Sequence, residues 1–127
     1  MSYKVIISAT DKFRSEAKKL SKKHPSLKDD LIKLQIELLL NPKMGVLIKE
    51  NTYKIRLAIK SKNRGKSGGA RVITYYFEET EIQDSSEIFL LTIYDKAERS
   101  SIDDSTLNFL IREVEVIISQ RDSSEEE

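Results

Sequence analysis

The repeat of apolar positions along this chain changes near its middle, from every three or four residues to every second one. Phe13, Ala17 and Leu20 recur at i, i+4 and i+7 with lysines on the opposite face, which predicts an amphipathic helix capped by Thr10 or Asp11. His24-Pro25 breaks it, and His24 reads as its C-terminal cap. Ser26 is the expected N-cap of a second helix, with Asp29 and Asp30 in the first turn, where carboxylates favour the positive end of the dipole. Leu27, Leu31, Leu34 and Leu38 form its apolar stripe, widened by Ile32, Leu39 and Leu40, and Asn41-Pro42 ends it. So short a break between the two predicts an antiparallel helical hairpin.

Period two takes over afterwards. Tyr53, Ile55, Leu57 and Ile59 share one face of a strand, and Lys54, Arg56 and Ala58 the other. Arg71–Phe77 and Ile88–Tyr94 are β-branched and aromatic, and Tyr3–Ser8 is a shorter run of the same kind before the first helix. Tyr75-Tyr76-Phe77 must send an aromatic to each face. Gly65, Gly68 and Gly69 make Lys60–Ala70 a flexible hairpin loop, and the acidic Glu78–Glu87 connector is the next turn. A last helix begins near Asp103-Asp104-Ser105, with Leu107, Leu110, Ile111, Val114, Ile117 and Ile118 as its stripe and Phe109 and Val116 off it. The expected fold is α+β: an N-terminal strand and helical hairpin packed on one face of a twisted antiparallel sheet, with a C-terminal helix. Residues 1–122 read as one domain and 123–127 as a disordered acidic tail.

Composition sharpens this at one place. Of the 127 residues, 34% are charged, yet the net charge is only +1. Between Lys49 and Tyr75 eight basic residues face a single acid, Glu50, whereas elsewhere acids outnumber bases. A surface charged only for solubility intersperses both signs, and a concentrated positive field suits a phosphate chain. There is no cysteine and one histidine, which excludes disulfides, thiolate metal sites and a His-rich zinc site. No apolar run reaches transmembrane length and no signal layout opens the chain, so the expected location is the cytoplasm.

Strand alternation directs these charges. If Ile55, Leu57 and Ile59 face the helices, Lys54, Arg56 and Lys60 face away, and the hairpin brings Arg56, Lys60 and Arg71 together on an open face, with Lys62, Arg64 and Lys66 on the loop above. Such a face suits RNA or DNA. Gly68-Gly69 beside Arg71 would let backbone approach a phosphate, but Arg64-Gly65-Lys66-Ser67 lacks the glycine spacing of a nucleotide-binding P-loop. Any single lysine here is better explained as turn solubility or protection of a sheet edge, and only the set as a whole points to a partner.

Two stretches carry a family signature. One is Tyr53-Lys54-Ile55-Arg56-Leu57-Ala58 followed by Gly65-Lys66-Ser67-Gly68-Gly69-Ala70-Arg71-Val72-Ile73; the other is Leu90-Leu91-Thr92-Ile93-Tyr94-Asp95-Lys96-Ala97-Glu98. Together they resemble the RelE/ParE superfamily of bacterial toxins, in its HigB-like branch of type II toxin–antitoxin systems, over roughly Gly45 to Ile102. The resemblance implies a RelE-like fold and a ribosome-dependent mRNA endoribonuclease (an mRNA interferase), blocked by a cognate antitoxin with a helix-turn-helix. It implies no cofactor and no metal, since the RNA's own 2′-OH attacks the adjacent phosphate. That chemistry needs a proton acceptor, cationic stabilisation of the phosphorane and a proton donor.

Arg71 is then the candidate phosphate clamp, supported by Arg56 and Lys60, because guanidinium binds phosphate in bidentate fashion. Lys60 or Lys62, among like charges, is a candidate base, with Glu98 a second one. Tyr94 and Lys96 are candidates to orient or protonate, and Lys54, Arg56, Arg64 and Lys66 to bind RNA. The chain lacks the histidine or arginine that some relatives carry near the C-terminus, offering there only Arg99, Arg112 and Arg121. Two alternatives stay open: a non-catalytic nucleic-acid-binding module, and a ParE-like inhibitor of DNA gyrase.

Overall fold

A computed structural model describes residues 4–63, 65–79 and 85–125. The chain runs β1 (Lys4–Ala9), α1 (Asp11–Lys23), α2 (Leu27–Leu40), β2 (Val46–Lys49), β3 (Thr52–Leu57), a 3-10 turn (Lys60–Lys62), β4 (Ala70–Glu79), β5 (Ser85–Asp95) and α3 (Asp104–Glu125). The fold is α+β, with three helices on a five-stranded sheet of order β1-β5-β4-β3-β2. The sheet is mixed rather than wholly antiparallel, because β1 joins β5 in parallel, with Lys4 opposite Ser85 and Ala9 opposite Leu90. The short β2, not foreseen from the sequence, pairs with β3 and forms the other edge.

Local chemistry sets the helix ends. Thr10 caps α1: its Oγ1 accepts the Phe13 N–H (3.1 Å) and donates to the Leu91 carbonyl (3.0 Å), tying the helix start to β5. His24 is the C-cap of α1, its N–H donating to the Leu20 carbonyl. Ser26 is the N-cap of α2, but its hydroxyl makes no capping bond. It donates to Asp30 Oδ2 (2.8 Å) and accepts the Ser61 N–H (2.8 Å), while the Lys60 N–H reaches the same Asp30 oxygen (3.1 Å). The loop after β3 is thereby fastened to the start of α2. Asp103 accepts from Ser105 Oγ and the Thr106 N–H at the head of α3, and these bonds hold its carboxyl down at about 2.

Two cores flank the sheet. On one side Phe13, Leu20, Leu34 and Leu38 of the hairpin meet Ile55, Leu57, Val72, Ile88, Leu90 and Ile93. On the other, Leu107, Leu110 and Val114 of α3 meet Ile73, Tyr75, Phe89, Leu91 and Tyr94. The expectation that helices cover only one face is therefore corrected. Alternation holds for β3, near the edge, but β4 and β5 are apolar on both faces and β5 is buried throughout. The stripe of α3 needs that second face. The helix runs to Glu125, into the segment expected to be a disordered tail; residues 126 and 127 lie outside the described ones. Among the described residues no helix is long and apolar enough to cross a membrane.

Candidate functional site

The register does oppose Arg56 to Arg71 across β3 and β4. Arg56 is exposed, but Arg71 is only 5% exposed. Its guanidinium donates to the carbonyls of Lys66 (3.1 Å), Ala70 (3.2 Å) and Ser67 (3.2 Å). Arg71 thus clamps the glycine loop, and the phosphate-facing position expected for it is filled by backbone. Gly69 serves the same closure: a Cβ there would stand 2.0 Å from the Leu57 carbonyl oxygen.

Lys60 and Lys62 do not join Arg56 and Arg71 on a common open face. Asn63 takes a left-handed conformation (φ 56°) after the 3-10 turn, which folds back onto α2, so both lysines stand at the hairpin side. Lys60 is exposed, and Lys62 Nζ lies 2.7 Å from Asp95 Oδ1 with its side chain 12% exposed. The picture of Lys62 as a base among like charges is corrected accordingly, since its partner is a carboxylate. Lys54 is half-buried between Ile73 and Val46, Lys66 is exposed, and Arg64 lies outside the described residues.

The groups that do converge sit at the end of β5. Asp95, 5% exposed, is held by Lys62, by the Ala97 N–H (2.9 Å) and by His24, whose Nε2 lies 3.1 Å from Oδ2. Burial pushes its carboxyl up, but the bonds from Lys62, Ala97 and His24 outweigh burial and hold it below the usual aspartate value. The Asp95 carbonyl also accepts the N–H groups of Glu98 and Arg99 (3.0 Å each), so one residue organises the turn that follows.

Next to it Tyr94 opposes Arg71 across the ladder, and the Arg99 guanidinium lies over its ring, 5.9 Å from the centroid. Among the described residues its buried hydroxyl has no hydrogen-bond partner. Burial pushes the phenol up, against the pull of Arg71 and Arg99.

Tyr94, Asp95 and Arg99 border a cleft of about 650 Å³ between the C-terminal end of α1 and the turn after β5. Lys19, Lys22, Lys23 and Arg99 supply its cations, and Leu20 and Ile93 its apolar floor. Glu98 reaches Lys23 (2.7 Å) in an exposed pair. Glu16 is committed to Thr92 Oγ1 (2.6 Å) and the Ile93 N–H (3.2 Å), satisfying an amide of β5 beyond the end of β1. Lys96 turns instead to the Ser100 carbonyl (3.2 Å). Such a site can bind a phosphate on its cations and place the Glu98 carboxylate beside it, with Tyr94 bordering it and its hydroxyl buried. Among the described residues no three His, Asp or Glu side chains group as a metal site.

Of the residues selected from sequence, the cleft gathers Tyr94 and Glu98, with Lys62 behind Asp95. Asp95, His24, Arg99 and the α1 lysines were missed as site residues. Asp95 did carry a signal, as a carboxylate closing an apolar run. The α1 lysines carried none, because only the stop of β1 at Ala9 leaves the end of β5 for α1 to cover. No protein-family model matches the chain.

Proposed function

We propose that this chain is the toxin of a type II toxin–antitoxin pair, a HigB-like member of the RelE/ParE superfamily that cuts mRNA on the ribosome. The observation that carries the reading is the cleft at the end of β5. It collects Lys19, Lys22, Lys23 and Arg99 around Tyr94 and Asp95, within the Tyr-Asp-Lys stretch on which the resemblance rests. RNA lying there meets cations at its phosphates and an apolar floor at a base.

In the proposed reaction the 2′-OH proton passes to Glu98, the exposed carboxylate lining the cleft. The 2′-oxygen bonds to phosphorus as the P–O5′ bond breaks, with Lys22, Lys23 and Arg99 stabilising the phosphorane charge. The leaving 5′-oxygen takes a proton from Tyr94, which burial keeps protonated at neutral pH. The Tyr94 hydroxyl is buried, so this step requires it to be uncovered as Arg99 leaves the ring for the phosphate. The products are a 2′,3′-cyclic phosphate and a 5′-hydroxyl. Asp95 is a positioning residue through Lys62 and His24, and Arg71 one through the loop carbonyls.

Brief induction followed by primer extension on cellular mRNA tests the proposal. New 5′ ends are expected with the wild type and not with Arg99→Ala. Intact mRNA with damaged DNA would point to a gyrase-directed toxin. Salt-sensitive RNA binding without cleavage would point to a non-catalytic module.

A further inference from the structure

Outside this cleft, α2 is apolar on two sides. Leu34 and Leu38 enter the core, yet Ile32, Ile36 and Leu39 stand 53%, 56% and 49% exposed at i, i+4 and i+7 on the outer surface. Folding needs only the inner row. Spacings of four and three residues along one helix make the outer row a continuous apolar strip rather than scattered residues.

Ile32, at the N-terminal end of that strip, lines a groove of about 540 Å³ between α1 and α2. Phe13, Ala17, Leu31 and Leu90 give it an apolar floor. Arg14, Lys18, Lys22 and Lys28 stand on its rim, and among the described residues no acidic side chain lines it. Arg14 has an exposed contact with Asp11 at 3.6 Å, the weak kind of surface pair that a ligand carboxylate can replace.

We propose that this groove docks one amphipathic helix of a partner protein, with an apolar edge on the floor and carboxylates along its flanks. Two side-by-side helices offer ridges and a groove that accept a third helix, read by anchors at i, i+3, i+4 and i+7. The rim of one sign selects the sign of the occupant: acidic flanks gain, and basic flanks are repelled. The floor is formed by apolar side chains, which suits aliphatic anchors better than a phosphate backbone. The inference does not depend on the ribonuclease reading, whose residues lie in the other cleft, apart from Lys22, which borders both.

The test uses the full chain and two synthetic helical peptides with the same leucine row, one flanked by glutamates and one by lysines. Fluorescence anisotropy is expected to show the glutamate peptide binding at least tenfold more tightly, and more weakly as salt rises. Lys18→Glu with Lys28→Glu is expected to reverse the preference, and Ile32→Ser to weaken the glutamate peptide severalfold. These three side chains are exposed, so thermal melts should match the wild type. Equal or absent binding of the two peptides to the wild type overturns the proposal without recourse to any variant. So does a preference unchanged in the double variant. RNA that competes through Lys18 and Lys28, or a dimer in solution that Ile32→Asp dissociates, assigns the groove to another occupant and overturns it as well.

Discussion

Replacing Asp95 by asparagine keeps the shape of the side chain and removes its charge. Lys62, with its side chain 12% exposed and its ammonium 2.7 Å from Oδ1, then holds a largely buried charge with no carboxylate beside it. Breaking such a pair from one side costs about 3 kcal/mol, because the surviving charge keeps its desolvation penalty. That is a large part of the roughly 5–15 kcal/mol that stabilises a domain. Lys62→Met removes the other charge and leaves Asp95 with His24 and the Ala97 amide, so its cost should be smaller. Urea denaturation of the two single variants and the double variant measures the coupling, expected at about 1–3 kcal/mol. The carboxyl of Asp95 is lower in the folded than in the unfolded chain, so its contribution is complete above about pH 4. It is lost as pH falls further, through the lowered folded value, and wild type and Asp95→Asn should converge there. Single-variant costs that add within about 0.5 kcal/mol would refute the reasoning, since independent sites add that closely.

Three other outcomes are expected. Gly69→Ala should cost about 3 kcal/mol in urea denaturation, because its Cβ meets the Leu57 backbone at 2.0 Å and not a flexible side chain. Gly65→Ala should cost about 1 kcal/mol, for its positive φ alone, since among the described residues beyond its chain neighbours nothing lies within 4 Å. Arg99→Ala should leave the melting temperature near that of the wild type and reduce the salt slope of RNA binding by about one, as one lost phosphate contact does. Thr10→Ala should lower stability by about 1 kcal/mol, measured by thermal melt, through the lost N-cap of α1.

What could be read in the sequence was chiefly local. Thr10, His24-Pro25, Ser26 and Asn41-Pro42 punctuate α1 and α2 because capping and proline effects act within a few residues. The Arg56–Arg71 opposition followed from a single hairpin. What was hidden depends on distant partners. Nothing near Lys4 announces that β1 lies parallel to β5, and nothing in β3 announces that its inner neighbours are covered twice. At the site the limit was the same. Arg71 was recognisable as a guanidinium beside a glycine loop, but its donors are spent on carbonyls that only the folded loop presents. His24 was read as a cap and is one; its bond to Asp95 spans 71 residues and has no local trace.

The parallel pairing of β1 with β5 has a consequence for synthesis. Lys4 must wait for Ser85, and the Thr10 cap reaches a carbonyl 81 residues later in the chain. The helical hairpin and the β2–β3–β4 meander rest on nearer contacts and can organise earlier as the chain emerges. The cleft needs both the end of α1, made early, and the end of β5, made late, so it is among the last features to exist. While the chain is being translated, its N-terminal strand is an unpaired edge and the cationic end of α1 has no opposite wall.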